Sequence, residues 1–115
     1  MDYNAPYGCS VTTTLKVIGG RWKPVILFHL MENGVCRFNE LRRMIDGITQ
    51  RMLTSQLKEL VEDGIIIRVV IESSPPHVEY SLTKYGSTLE NILKEMRDWG
   101  AQHAEILNNY HSSGL

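Results

Sequence analysis

The chain has 115 residues, of which 43% are hydrophobic and 22% are charged, and its net charge at pH 7 is −1. These values predict one soluble globular domain over residues 1–115 and exclude a general polyanion binder, so any nucleic-acid surface must be local. No apolar run reaches the roughly 18 residues that a membrane span requires, and the first residues carry no export signal. We therefore expect a cytoplasmic protein that does not bind membranes.

Catalytic and metal-binding patterns are missing from the sequence. The two cysteines, Cys9 and Cys36, make neither a disulfide framework nor a four-ligand zinc site, and the four histidines have no metal-ligand spacing. We also find no glycine-rich phosphate loop, paired-carboxylate site or nucleophile motif. The sequence therefore predicts no cofactor, no metal and no enzymatic activity.

The first third of the chain predicts an arm and two helices. Residues 1–10 lack periodicity and form the arm, and residues 11–18 form a short amphipathic helix that ends at Gly19. A second helix over residues 22–32 has Pro24 in its first turn and is apolar nearly all round. We expect this helix to lie in the centre of the core.

Residues 38–64 have the pattern of a helix-turn-helix. A short helix ends near residue 45, a tight turn follows, and a longer helix begins after a capping Thr49 and ends at Gly64. On the longer helix the leucines lie on one side and a polar set spans an arc of roughly 140° on the other. The polar set consists of Gln50, Arg51, Thr54, Ser55 and Lys58.

The charge of this region supports DNA contact. Residues 37–58 carry five Lys or Arg against two acids, a local charge of +3 in a chain whose total is −1. Cations, amides and hydroxyls are the groups that contact phosphates and base edges. A solvated helix face without a partner is the simpler alternative.

Residues 65–82 predict a β-hairpin. A run rich in β-branched residues precedes the Ser-Ser-Pro-Pro tip at residues 73–76, and a run that alternates as a strand does follows it. A hairpin after the second helix of a helix-turn-helix is a wing. The predicted fold class is therefore α+β, mainly α: a winged helix-turn-helix with a two-stranded wing and a long C-terminal dimerisation helix.

The last predicted helix, residues 84–110, carries a second apolar pattern. Apolar and aromatic residues follow alternating steps of four and three from Tyr85, as in a coiled-coil seam. At about 1.5 Å per residue this helix would be about 40 Å long and would overhang a compact domain. We expect the helix to pair with a second copy of the chain; folding back at Gly100 is the alternative.

Taken together, these segments resemble the HxlR-type winged-helix transcription regulators of the MarR-like superfamily. The matching pieces are Cys9, IGGRW (18–22), VILFHL (25–30), RFNEL (37–41), GITQRMLTSQLKELVEDGII (47–66), PPHVEYSLTKYG (75–86) and DWG (98–100). The resemblance implies a homodimer, held by its first and last helices, that binds an inverted-repeat operator. It adds Arg21 and Lys23 as phosphate contacts, and it departs at His77, where many members have arginine, and at Ser10, where they have proline.

These inferences give three groups of candidate residues. The DNA-binding candidates are Arg21, Lys23, Arg42, Arg43, Gln50, Arg51, Thr54, Ser55, Lys58 and His77. The dimer-interface candidates are Leu15, Ile18, Leu89, Ile92, Met96, Trp99, His103, Ile106 and Tyr110. Cys9 is either a sensor of oxidants or electrophiles, as the resemblance suggests, or a thiol without that role.

The expected function is a dimeric, sequence-specific DNA-binding regulator, with repression favoured over activation. A small-molecule effector remains an open partner. The alternative is a winged-helix module for protein interaction without DNA binding, which the total charge of −1 and the cation-free wing tip would suit.

Overall fold

The computed structural model describes residues 9–112. The α-helices are α1 (Ser10–Ile18), α2 (Lys23–Asn33), α3 (Phe38–Met44), α4 (Gln50–Glu62) and α5 (Glu90–Ser112). The strands are β1 (Cys36–Arg37), β2 (Ile66–Ile71) and β3 (His77–Leu82), and a 3-10 helix (Gly86–Leu89) precedes α5. This winged helix-turn-helix confirms the predicted fold class. The predicted arm falls outside the described residues except for Cys9 and Ser10, and Ser10 already begins α1.

One apolar core joins the helix-turn-helix to the sheet. Leucine side chains from α2, α3 and α4 fill it, together with isoleucines from the helices and from β2. Its most deeply buried members are Ile26, Leu27, Leu30, Leu41, Leu53, Leu57, Leu60 and Ile66. The core buries only one side of α2, because Val25 on the opposite side is exposed. The prediction that α2 lies in the centre of the core therefore holds for the side that carries Ile26, Leu27 and Leu30 but not for the side that carries Val25.

The sheet has three antiparallel strands in the order β1-β3-β2. The predicted hairpin consists of β2 and β3, with Ile66 opposite Leu82 and Ile71 opposite His77. The short strand β1 adds to the free side of β3 and places Arg37 opposite Glu79. This pairing fixes the beginning of α3 beside the wing, which matters for the site described below.

Local signals set both ends of α4, as predicted. The Thr49 hydroxyl accepts a hydrogen bond from the Met52 N–H at 3.1 Å and so caps the first turn. At the other end Gly64 has a φ of +74°, a left-handed conformation that glycine adopts without steric cost. Leu53, Leu57 and Leu60 are buried, so the opposite side of the helix is left at the surface.

Thr83 and Gly86 fix the position of the segment that leads into α5. The Thr83 hydroxyl donates to the Gly64 carbonyl at 2.7 Å and accepts from the Gly86 N–H at 2.9 Å, so it links the end of α4 to the start of the last helical segment. A Cβ on Gly86 would overlap the Ile65 carbonyl oxygen. The close approach therefore requires glycine at this position.

The helix α5 continues through Gly100 without a break, so the alternative in which it folds back is wrong. The radius of gyration is 16.7 Å, against about 13 Å expected for a compact domain of this size. The excess agrees with the predicted overhang. Across residues 9–112, no helix combines the length and apolar character needed to cross a membrane.

The apolar pattern of α5 divides between the core and the surface. Leu93, which the predicted seam leaves out, is the buried residue of this helix, and Leu89 is half-buried against the core. Ile18 of α1 is only 3% exposed. Ile18 therefore belongs mainly to the core of its own chain, although it also lines a groove between α1 and α5, and its role at a dimer interface stays a prediction.

Candidate nucleic-acid interface

The polar face of α4 is at the surface and is free of protein partners. Its five predicted residues, Gln50, Arg51, Thr54, Ser55 and Lys58, together line one open concave surface of about 590 Å³. All five are exposed, and within residues 9–112 none of their side chains forms a hydrogen bond or an ion pair with the protein. A surface with cations, hydroxyls and an amide that lack internal partners can bind phosphates and base edges.

Glu59, eight residues after Arg51 on α4, has partners of its own. It lies 3.5 Å from the Lys23 ammonium and accepts a hydrogen bond from the Gln56 amide at 3.3 Å. Within residues 9–112 Arg51 has no ion pair, so its charge is available on the surface of α4.

The same ion pair involves Lys23, one of the predicted phosphate contacts. The Lys23 side chain is only 10% exposed, and its ammonium lies 3.5 Å from a Glu59 carboxylate oxygen, so the pair connects the first turn of α2 to α4. The role of Lys23 as a phosphate contact stays a prediction. The sequence did not predict the contact between Lys23 and Glu59, because the two residues are 36 positions apart.

Arg21, Arg42 and Arg43 remain at the surface. The Arg21 guanidinium stacks over the ring of its neighbour Trp22 at 4.4 Å from the centroid, and Trp22 is half-buried against the core. Arg42 and Arg43 are exposed on α3, and within residues 9–112 neither has an ion pair. These three cations are therefore available to an anionic partner.

His77 at the base of the wing is held by its own hairpin. Its Nε2 lies 2.9 Å from a Glu79 carboxylate oxygen, and its Nδ1 lies 3.4 Å from the Ser73 hydroxyl. The side chain is half-buried as well. Both ring nitrogens therefore have partners within the wing, and the role of His77 as a DNA contact stays a prediction. Residues two apart on a strand share a face, so the sequence did contain this signal.

Two residues beside the wing, one cationic and one polar, were not among the predicted DNA-binding residues. Arg37 and Asn39, at the junction of β1 and α3, are exposed and line a cleft that opens toward the wing tip. The sequence placed Arg37 in the basic segment but gave no reason to single it out. Its position became apparent only from the pairing of β1 with β3.

The two thiols have opposite environments. Cys9 is exposed and precedes the first turn of α1, where its carbonyl accepts from the Thr13 N–H at 3.3 Å. Cys36 is buried in the core, and burial together with the charge of Glu40 raises the pKa of its thiol. Only Cys9 therefore offers a thiol to reagents in solution.

The other interface candidates form an apolar strip along α5. Ile92, Met96, Trp99, His103, Ile106 and Tyr110 are all exposed, and Trp99, at 66% exposure, stacks on the His103 ring at 4.9 Å between centroids. Leu15 of α1 is also exposed and lines a nearly apolar groove of about 330 Å³ with Ile92 and Met96. Within residues 9–112 no group of three or more His, Cys, Asp or Glu side chains could hold a metal ion.

Comparison with known proteins agrees with this geometry. A family profile described as HxlR-like helix-turn-helix matches residues 17–108. The chain belongs to the HxlR-like helix-turn-helix family. YybR of Bacillus subtilis (strain 168), named as an HTH-type transcriptional regulator, is 52% identical over 108 residues, which cover 94% of this chain and 86% of YybR. This HxlR-like protein is therefore a transcriptional regulator of the DNA-binding, helix-turn-helix type.

Solved structures of the redox regulator HypR are similar throughout the fold. The reduced form is 50% identical and has a TM-score of 0.81, with 88% of this chain and 99% of the HypR chain covered. The oxidised form is 53% identical and has a TM-score of 0.78, with 82% and 96% covered. Both likenesses support the winged-helix architecture of this HxlR-like chain.

Proposed function

We propose that the chain acts as a homodimeric repressor that binds an inverted-repeat operator through α4. The observation that supports this most is the free polar face of α4, where Arg51 and Lys58 lack internal partners while Glu59 is paired with Lys23. Two copies of α4 would enter successive major grooves with half-sites roughly 34 Å apart. Bound there, the dimer would block transcription. A protein that works on the chromosome in this way acts in the cytoplasm.

The dimer is supported by the apolar strip on α5. Met96, Trp99, Ile106 and Tyr110 are all 45% or more exposed, although they repeat along one side of a helix as core residues do. A continuous apolar surface of this kind on a monomer indicates a protein interface. The second copy of the same strip is its simplest partner, because a two-fold axis lets one surface cover itself. Leu15 and the groove between α1 and α5 would extend the contact.

The proposal can be tested by fluorescence anisotropy with DNA duplexes that the protein itself selects from a random-sequence library. Arg51→Ala should weaken binding to selected duplexes by about 1–3 kcal/mol and relax sequence preference, as expected for a base contact. Lys58→Ala should weaken binding uniformly and reduce the log–log salt slope by about 0.9, as expected for a phosphate contact. Lys94→Ala, which removes a charge from α5, serves as the control. Unchanged affinity in both α4 variants would refute the proposed interface and favour the protein-interaction alternative.

A redox response at Cys9 is a second proposal, supported by its exposure and by the likeness to the redox regulator HypR. Hydrogen peroxide would oxidise the Cys9 thiol to sulfenic acid and would itself be reduced to water. Modification at the start of α1 could alter the packing of α1 against α5 and with it the spacing of the two α4 helices. Peroxide should then change DNA affinity in the unmodified protein and leave Cys9→Ser unaffected. Equal responses of the two proteins would remove the proposal and leave Cys9 as a thiol without a sensing role.

A further inference from the structure

A cleft of about 510 Å³ separates the wing tip from the beginning of α3. One wall carries Arg37, Asn39 and Arg43, and the opposite wall carries Pro75, Pro76 and His77. We refer to it as the wing cleft. It exists because β1 pairs with β3 and holds the start of α3 beside the tip of the hairpin.

The residues that line the wing cleft carry more cations than carboxylates. Within residues 9–112 neither Arg37 nor Arg43 has an ion pair, although Lys23 and Arg97 both do. Glu40 is the one carboxylate among the lining residues, and its oxygen accepts the Arg37 backbone N–H at 2.7 Å as part of the helix cap. Two guanidinium groups therefore face one carboxylate that is already engaged.

The opposite wall of the wing cleft adds no cation of its own. His77 is hydrogen-bonded to Glu79 at 2.9 Å, and the two prolines at the tip have no side-chain donor. An anion in the wing cleft would therefore be held from the α3 side and would contact the wing through apolar rings.

We propose that the wing cleft binds a phosphodiester of the DNA backbone, with Arg37 and Arg43 as the cationic ligands and Asn39 as an amide donor. This inference rests on the proposed DNA binding by α4. In a helix-turn-helix complex the first helix crosses the DNA backbone while the second lies in the major groove. The wing cleft belongs to that first helix, α3, and its arginines continue the basic segment that ends in the polar face of α4. Arg37 and Arg43 thus supply permanent cations beside a wing whose tip, residues 73–76, carries none.

Three substitutions change the charge of the wing cleft with little effect on the fold. Arg37→Gln removes a cation, whereas its backbone N–H still reaches Glu40. Asn39→Asp adds an anion in the first turn of α3, where a negative charge favours the helix. Glu40→Gln removes the carboxylate but keeps an acceptor suited to the cap. Lys94→Gln on α5 is the matched control for the loss of one cation.

The experiment measures the affinity of each full-length variant for a selected duplex and for a duplex of unrelated sequence, across a series of salt concentrations. Arg37→Gln should weaken binding to both duplexes by roughly five- to tenfold at about 0.1 M salt and lower the salt slope by about 0.9. Asn39→Asp should also weaken binding, and Glu40→Gln should strengthen it. Thermal unfolding of each variant verifies that the fold is intact.

The outcomes separate the two proposals. If Arg51→Ala and Lys58→Ala weaken binding while Arg37→Gln behaves like Lys94→Gln, the wing cleft does not bind DNA but the interface on α4 stands. If the unmodified protein binds no duplex, the proposed function fails and this inference fails with it. A third arm adds inorganic phosphate at constant ionic strength. If phosphate raises the melting temperature of the unmodified protein but not of Arg37→Gln, and the salt slopes are equal, the wing cleft is a site for small anions and the DNA contact is overturned.

Discussion

The helices α4 and α5 are both amphipathic, but the protein uses their faces in opposite ways. In α4 the apolar side is buried in the core through Leu53, Leu57 and Leu60, and the polar side lies at the surface. In α5 the core takes Leu93 alone as a buried residue, and the remaining apolar side chains stay at the surface. The side chains that each helix leaves exposed indicate the kind of partner that it binds. Unpaired cations and hydroxyls suit a polyanion, whereas an exposed apolar strip suits another apolar surface.

The cations show the same contrast. Lys23 is paired with Glu59, and Arg97 lies 2.9 Å from Asp98 and 3.7 Å from Glu32. Arg51 and Lys58 on α4 are exposed and have no such partners within residues 9–112. Counting charges along the sequence treats these residues alike, but the folded chain divides them into structural cations and available ones.

The largest effect should come from the buried side of α4. We expect Leu57→Ala to lower the free energy of unfolding by about 2–5 kcal/mol, because it removes a fully buried side chain and leaves a cavity. Ile106→Ala on the exposed side of α5 should leave the unfolding of the isolated chain nearly unchanged. Urea titrations at low protein concentration measure both. Equal losses would show that the strip on α5 is already packed within one chain.

The next effect concerns the proposed dimer. Ile106→Asp places a charge in the strip and should weaken self-association at least tenfold, or about 1.4 kcal/mol, because an unpaired charge would be buried at the interface. Asn108→Asp adds the same charge to the same helix outside the strip and is the control. Sedimentation velocity over a concentration series measures association. A monomeric unmodified protein at micromolar concentration would contradict the dimer itself.

A smaller effect distinguishes the two kinds of cation. Lys23→Met keeps the aliphatic stem and removes the ion pair, so it should change stability by less than about 1 kcal/mol and leave the salt slope of DNA binding unaltered. Lys58→Met should leave the stability unchanged and lower the salt slope of DNA binding by about 0.9. Chemical denaturation and anisotropy on the same samples measure both quantities. A lower slope in Lys23→Met would identify Lys23 as a phosphate contact.

The smallest effect compares the two thiols. One thiol per chain, Cys9, should react rapidly with a disulfide reagent in the native protein, and Cys36 should react only after unfolding.

Burial and the charge of Glu40 raise the pKa of Cys36, so the Cys36 thiol keeps its proton to higher pH in the folded chain than in the unfolded chain. The stability contribution is thus complete below the ordinary thiol pKa of about 8.5 and declines as the pH rises above it. In Cys36→Val this part of the alkaline decline should disappear.

Features that depend on local chemistry were predictable from the sequence. The cap at Thr49, the left-handed Gly64 and the polar arc of α4 follow from side chains within a few positions of each other. Strand pairing of β2 with β3 was predictable for the same reason, because a short tip joins a β-branched run to an alternating one. The resemblance to the HxlR-type regulators placed these pieces in order, and the family match over residues 17–108 confirmed it.

The sequence by itself thus determined the winged helix-turn-helix, its family and the polar face of α4, since helical period and turn chemistry act over short distances. Only the tertiary structure decided which cations are free. The Lys23–Glu59 pair joins two helices far apart in the chain, and the pairing of β1 with β3 brings Arg37 to the wing. It also decided that Ile18 and Leu93 belong to the core, because burial depends on which neighbours pack against a helix face as well as on the apolar pattern of that face.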